Sequence, residues 1–117
     1  VERVTQVFCG VRMLCARCHE HPMENWTQAD YFGLASFFSQ VSLKQDPRAG
    51  PNVNSKAVVV NRAAAFATNP RTGRAQEPKF LGGELLAVIP NADRRGAYAT
   101  WLTGPKNPFF ARGIANR

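Results

Sequence analysis

The chain has 117 residues, of which 44% are hydrophobic and 20% are charged, and its 15 Lys and Arg against 8 Asp and Glu give a formal net charge of +7. This length and composition indicate one globular domain and exclude a disordered chain, and no apolar run reaches the roughly 20 residues that a membrane-spanning helix needs. The basic residues are scattered without a dense run, which favours a solvated surface and disfavours a nucleic-acid-binding groove.

The first predicted element is an amphipathic helix over residues 2–18. Its apolar residues recur at three- and four-residue steps and so share one face of a helix. Cys15 and Cys18 continue this stripe one turn apart, so both thiols are expected on the apolar side. Pro22 should end the element soon afterwards. The stripe comprises Val4, Val7, Phe8, Val11 and Leu14.

A second helix is predicted to begin after Thr27. Thr27 and Asp30 have the spacing of a capping box, in which each side chain bonds the backbone N–H of the other residue. The helix that follows has an apolar face broad enough for the core of the domain or for the wall of a ligand pocket. This face comprises Tyr31, Phe32, Leu34, Ala35, Phe37, Phe38 and Val41.

The middle of the chain carries mostly turn signals. Pro, Gly, Asp and Asn predict a loop over residues 44–54 and a turn over residues 69–73. Between them, residues 58–60 and 64–67 are predicted either as two short strands of a small hairpin or as one irregular ribbon.

Two more helices are predicted towards the end of the chain. Asn91 is the expected cap of one that runs to Leu102, with Gly104 just beyond its end. Asn107 followed by Pro108 predicts the start of another. The predicted fold class is therefore mainly α, with about four helices and a short β-hairpin as a candidate addition.

The main functional signal is the C-x-x-C-H motif formed by residues 15–19. Two intervening residues place both sulfurs at one edge of a porphyrin, to which they bond covalently, and the imidazole that follows binds the iron. The motif predicts a small c-type haem domain with one covalent haem c, bound through Cys15 and Cys18, with His19 as the proximal iron ligand.

Few residues are candidates for the opposite face of the iron. Met13, His21 and Met23 all lie close to His19 in sequence, and the short connecting segments make the far face of the ring hard to reach. Cys9 is a further candidate, although a small buried hydrophobe is its simpler interpretation. For His21 the simpler role is a structural hydrogen bond or a contact to a haem propionate. We expect an open or weakly held sixth position, with an unusual ligand or a partner's ligand as the alternatives.

Three segments near the N-terminus, residues 7–11, 15–22 and 26–38, together resemble the cytochrome-type domain of large exported planctomycete multidomain proteins. The C-x-x-C-H-x-H-P run within them is the most specific part. Residues 78–83, 94–95, 101–103 and 107–117 resemble the junction into the uncharacterised domain that usually follows. Only about residues 42–77 lie outside the resemblance.

The resemblance implies a haem-bearing module of the bacterial cell envelope, periplasmic or otherwise exported, whose reaction is largely unassigned. It implies one cytochrome domain over residues 1–117, with 91–117 as the candidate start of a following domain. Cys9 stands where an aliphatic residue is usual and Met23 where an aromatic residue is common, so the ligation of the iron in this chain is expected to differ from that of its relatives.

Four functions compete, the last of them a carbohydrate- or protein-docking module in which the haem is incidental. The first is electron transfer to a redox partner protein or a neighbouring domain, with no nucleic acid and no membrane span in this chain. The second is a haem site that binds a small ligand or peroxide, so whether the chain is an enzyme stays open. The third is a structural zinc module that uses Cys9, Cys15 and Cys18 with His19 or His21.

The arginines offer one more expectation. Arg94, Arg95 and the arginines after them are candidates to pair with haem propionates or to steer an acidic redox partner.

Overall fold

The computed structural model describes residues 1–50 and 53–116. A short first helix is followed by a π-helical turn, a 3-10 turn, a second helix, two antiparallel strands and two further helices. The prediction of a mainly α fold is wrong: 31% of the described residues are helical and 12% lie in strands or bridges, which makes a small mixed α/β domain. The bounds are Glu2–Val4 for α1, Thr5–Cys9 for the π-helical turn, Cys15–Arg17 for the 3-10 turn, Gln28–Ala35 for α2, Val41–Gln45 for β1, Lys56–Val60 for β2, Arg94–Thr103 for α3 and Phe110–Ala115 for α4.

The first helix is shorter than predicted because Gly10 ends it. Gly10 adopts a left-handed conformation with φ of 69°, which glycine reaches without steric cost. Burial then alternates, with Val11 and Met13 buried and Arg12 exposed, the period of extended chain. The prediction of one helix over residues 2–18, with both thiols on its apolar face, is therefore wrong beyond Cys9.

The capping box at the start of α2 is confirmed. The Thr27 hydroxyl accepts from the backbone N–H of Asp30 at 3.2 Å, and the Asp30 carboxylate accepts from the backbone N–H of Thr27 at 2.9 Å. Lys79 adds an ion pair to the same carboxylate at 2.7 Å. Burial alone would raise the pKa of Asp30, but the hydrogen bonds from Lys79 and Thr27 outweigh it and hold this pKa below its usual value.

The hairpin uses different strands from those predicted. β1 pairs with β2 in a register that sets Val41 opposite Val60 and Leu43 opposite Val58. Residues 58–60 are therefore in a strand, but residues 64–67 are not, and the loop predicted from residue 44 begins only after Gln45. Leu43 shows the missed signal: it alternates with polar Ser42 and Lys44, the two-residue period of a strand. Residues 51 and 52 of the predicted loop lie outside the described residues.

The predicted turn at residues 69–73 is confirmed, since the backbone N–H of Gly73 donates to the carbonyl of Asn69 at 2.9 Å. α3 is capped by Asp93 and not, as predicted, by Asn91, because the Asp93 carboxylate accepts from the backbone N–H of Arg95 at 3.0 Å. Asn91 instead takes a turn conformation with φ of 59°.

The predicted start signal of α4 is confirmed. The side-chain oxygen of Asn107 accepts from the backbone N–H of Phe109 at 2.8 Å and of Phe110 at 2.9 Å, as a cap residue does. Within the described residues, none of the helices combines the length and the apolar character needed to cross a bilayer.

An aromatic cluster in the core joins α3 to the segment just after α2 and to the residue just before α4. Phe37 is fully buried, and its ring centroid lies 4.8 Å from that of Phe80 and 5.5 Å from that of Tyr98. Trp101 stacks on Phe80 at 5.2 Å and lies 6.2 Å from Phe109. Aromatic contacts of this kind add to the hydrophobic stabilisation of a core, so the cluster fixes the C-terminal helices relative to α2.

Candidate functional site

The C-x-x-C-H motif lies on a tight turn at the surface. The carbonyl oxygen of Cys15 accepts from the backbone N–H of Cys18 at 3.2 Å and of His19 at 3.3 Å. Ala16 is fully buried and anchors the turn on the core. Cys15 and Cys18 are free thiols, and both are exposed, as is His19. The turn therefore presents two thiols and one imidazole to an incoming ligand.

Gln28 holds this turn from the start of α2. Its side-chain Nε2 donates to the carbonyl oxygen of Arg17 at 3.1 Å, and the residue is only 6% exposed. Its Oε1 is buried and accepts no hydrogen bond within the described part of the chain. Because Gln28 is the first residue of the capped helix, the contact ties the position of the motif to a well-defined element.

The backbone beside His19 selects the tautomer of its ring. Nδ1 lies 2.6 Å from the carbonyl oxygen of Glu20, and because a carbonyl oxygen only accepts, Nδ1 carries the proton. In the neutral imidazole Nε2 then has the free lone pair. Histidines that bind metals usually donate their other ring N–H to a carbonyl or carboxylate in this way. With two free thiols on the same turn, the donor set fits a c-type haem.

His21 uses its Nδ1 as a hydrogen-bond acceptor, whereas His19 uses its Nδ1 as a donor. Its Nδ1 accepts from the backbone N–H of Met23 at 3.2 Å and of Glu24 at 3.0 Å. Nδ1 is therefore unprotonated, and the proton of the neutral ring is on Nε2. The backbone N–H of His21 also donates to the carbonyl of Trp26 at 2.8 Å. These bonds favour a structural role in the loop over a role as the distal iron ligand.

The other candidates for the distal position are placed in different surroundings. Met13 is fully buried, whereas Met23 is 87% exposed. Cys9 is 4% exposed, with Sγ 3.7 Å from the hydroxyl of Tyr98. Burial raises the pKa of the Cys9 thiol, and the hydrogen bond with Tyr98 offsets this only in part, so the thiol stays protonated at neutral pH. Burial of Cys9 among core residues agrees with its simpler interpretation as a small hydrophobe.

The geometry does not assemble the predicted zinc set. Cys9 is buried beside Tyr98, whereas Cys15, Cys18 and His19 are exposed. Within residues 1–50 and 53–116, no group of three or more His, Cys, Asp or Glu side chains is arranged to hold a metal ion. A haem requires only one protein ligand to its iron and is compatible with this arrangement.

The side chains of Arg94 and Arg95 form hydrogen bonds and an ion pair within the fold. The guanidinium of Arg94 donates to the carbonyls of Ser36 and Ala64 and to the hydroxyl of Ser39. That of Arg95 pairs with Asp93. These contacts disfavour the expectation that the two arginines serve haem propionates or a redox partner.

Sequence reasoning missed the residues that support the motif. Gln28 gave no signal beyond its place next to the capping residue Thr27. The Glu20 carbonyl is a backbone group, so no pattern of side chains could have shown its contact with His19. Both depend on how the chain turns after the motif.

The fold and the site together define a small mixed α/β domain with an exposed C-x-x-C-H turn. The family model PSCyt2, described as a protein of unknown function (DUF1549), matches residues 1–43 and so includes the whole motif. PSCyt2 is the name of a planctomycete cytochrome-like family, so the predicted resemblance is confirmed in this general form over those residues. No curated protein and no solved structure matches the chain.

Proposed function

We propose that the chain is a mono-haem c-type cytochrome domain that carries one electron at a time. The observation that supports this best is the turn at residues 15–19, where two exposed free thiols stand beside an imidazole whose Nδ1 is bonded to a carbonyl. The match of residues 1–43 to a cytochrome-like family is a further support.

Five residues at and beside the turn have distinct roles in this proposal. Cys15 and Cys18 hold the haem through thioether bonds, and His19 binds the iron through Nε2. When bound, the haem supplies a reversible one-electron change at its iron. The Glu20 carbonyl orients the ring of His19 and increases its basicity. Gln28 fixes the backbone between the two cysteines through the Arg17 carbonyl.

We further propose that the sixth position of the iron is open or held weakly. This is supported by the four candidate ligands, because Met13 and Cys9 are in the core, His21 uses Nδ1 as an acceptor, and Met23 lies in solvent. An open position favours a second function, in which the iron binds a small ligand or peroxide. The chain could then act as a sensor or a catalyst.

The proposed setting is the periplasm or another exported part of the cell envelope, where the electron passes to a partner protein or a neighbouring domain. We propose one domain for the chain. This is supported by the contact of α4 with the first helix, where the Cα of Gly113 lies 3.3 Å from a Cβ built on Gly10. Residues 110–115 are thus packed on the N-terminal segment.

The two functions are separated by visible spectra of protein exported from cells that have cytochrome-maturation enzymes. Purified protein should be coloured, and its spectrum should change reversibly on reduction. Carbon monoxide should bind the reduced protein rapidly if the sixth position is open and poorly if a protein ligand fills it. Cys9→Ala is the matched control for Cys15→Ala, because only the second should reduce haem attachment. A colourless wild-type protein would refute the proposal.

A further inference from the structure

An open cleft of about 610 Å³ lies beside the loop that follows the motif. Two aromatic rings line it, those of Trp26 and Phe109, with centroids 6.1 Å apart. Gly10 and Gly113, where the first helix meets α4, also belong to its lining. A volume of this size is typical of sites that bind small molecules and cofactors.

Two guanidinium groups give the cleft its charge. Arg12 and Arg112 both line it and both are exposed. In the described part of the chain, neither lies within ion-pair distance of a carboxylate. Glu24 supplies a carboxylate to the lining, but that group already accepts a hydrogen bond from the indole N–H of Trp26. The cleft therefore combines apolar ring surfaces with two positive charges that have no anionic partner there.

The lining of the cleft includes residues that precede the motif in sequence and residues that follow it. Glu24 and Trp26 belong to the loop that is bonded to His21, two residues after the proposed iron ligand. On the other side, Arg12 precedes Cys15 by three residues, so their Cα atoms are at most about 10–11 Å apart. Arg12 is thus within reach of a large flat group attached at the motif, and Arg112 lines the same cleft as Arg12.

From this arrangement we propose that Arg12 and Arg112 bind the propionate carboxylates of the haem that is attached at Cys15 and Cys18. The inference rests on the proposed function and assigns residues to one edge of the cofactor. A guanidinium binds a carboxylate with two parallel hydrogen bonds. The rings of Trp26 and Phe109 are suited to the apolar part of the same ligand.

The charge of these arginines has two electrochemical consequences. A positive charge near the iron favours the reduced state, so removing it lowers the midpoint potential. A guanidinium next to a propionate also lowers the pKa of that carboxyl. Without the arginines this pKa rises, and the midpoint potential should begin to depend on pH at a higher pH than in the wild type.

The test compares three double variants of the haem-bearing protein. Arg12→Gln/Arg112→Gln removes both charges, and Arg12→Lys/Arg112→Lys keeps them. Arg48→Gln/Arg71→Gln removes the same net charge at two exposed positions that do not line the cleft. Spectroelectrochemical titrations from acid to neutral pH should show a lower potential and a raised propionate pKa only in the first.

The outcomes separate this inference from the function on which it rests. The propionate site is refuted, while the cytochrome function stands, if Arg48→Gln/Arg71→Gln shifts the midpoint potential as much as Arg12→Gln/Arg112→Gln does. It is also refuted if Arg12→Gln/Arg112→Gln leaves the pH dependence of the potential unchanged. If Arg12→Gln/Arg112→Gln no longer attaches haem, the variant Arg12→Lys/Arg112→Lys decides the question. Haem attachment in the lysine variant, with a potential near that of the wild type, supports the inference, and loss of attachment refutes it. A wild-type protein without attached haem would refute both proposals.

Discussion

Replacing Arg94 should destabilise the fold without changing the proposed haem site. Its guanidinium makes three hydrogen bonds, at 3.2 Å to Ser36, 2.9 Å to Ser39 and 2.6 Å to Ala64, and it lies over the ring of Phe66 at 4.5 Å. The residue is 7% exposed. Hydrogen bonds from a charged donor contribute about 1.5–3 kcal/mol each, but dehydrating the charge offsets a large part of the sum. We expect Arg94→Met to lower the free energy of unfolding by about 3 kcal/mol.

Urea denaturation followed by far-ultraviolet circular dichroism measures this change. Arg94→Lys keeps the charge but has a single ammonium group in place of the planar guanidinium. Its stability should therefore lie between those of the wild type and Arg94→Met. The matched control is Arg95→Met at the neighbouring position, where the loss is confined to a partly exposed ion pair with Asp93, and the midpoint should stay much closer to that of the wild type than the midpoint of Arg94→Met does. An Arg94→Met protein within about 1 kcal/mol of the wild type would contradict the reasoning.

Four more predictions concern Gly113, Thr27, Asp30 and Cys9. Gly113→Ala should destabilise the protein by about 1–3 kcal/mol because its Cβ would lie 2.9 Å from the backbone carbon of Cys9. The control Gly96→Ala has open space around it and should stabilise α3 by about 0.5–1 kcal/mol. Thermal melts compare the two variants. Thr27→Ala should lower the free energy of unfolding by about 1 kcal/mol in urea titrations, whereas Thr27→Ser should keep most of the wild-type stability. Because the pKa of Asp30 is lowered in the folded protein, its contribution to the free energy of unfolding is complete above the usual pKa of about 4 and is lost as the pH falls through the lower folded value. Asp30→Asn should therefore be less stable than the wild type at neutral pH, and its free energy of unfolding should fall less on acidification. Cys9→Ala should leave the number of thioether bonds at two, as measured by mass spectrometry of a haem peptide; one bond would show that Cys9 takes part in attachment.

Sequence signals that act over a few residues predicted structure well. The Thr27–Asp30 capping box and the Asn107 cap were found from spacing alone, because each needs only a side chain and the backbone N–H groups two or three residues away. The turn at residues 69–73 belongs to the same class. Such features do not depend on the rest of the fold.

Features that depend on distant contacts were not predictable. The helix expected over residues 2–18 ends at Gly10, where the left-handed turn coincides with the close approach of Gly113, about a hundred residues away in the chain. The hairpin register was missed because the tertiary fold selects which apolar residues pair, and Leu43 was assigned to no strand. The supports of the motif, from Gln28 and from the Glu20 carbonyl, also follow from the folded path of the backbone.

The central claim, that haem is bonded to Cys15 and Cys18, is tested most directly by the intact mass of the denatured protein. The protein must be exported from cells that contain cytochrome-maturation enzymes, with a known c-type cytochrome produced in parallel. The account predicts a mass equal to that of the chain plus one haem, and the loss of this addition in Cys15→Ala/Cys18→Ala. A wild-type chain that has only its own mass, while the parallel cytochrome is fully loaded, would contradict it.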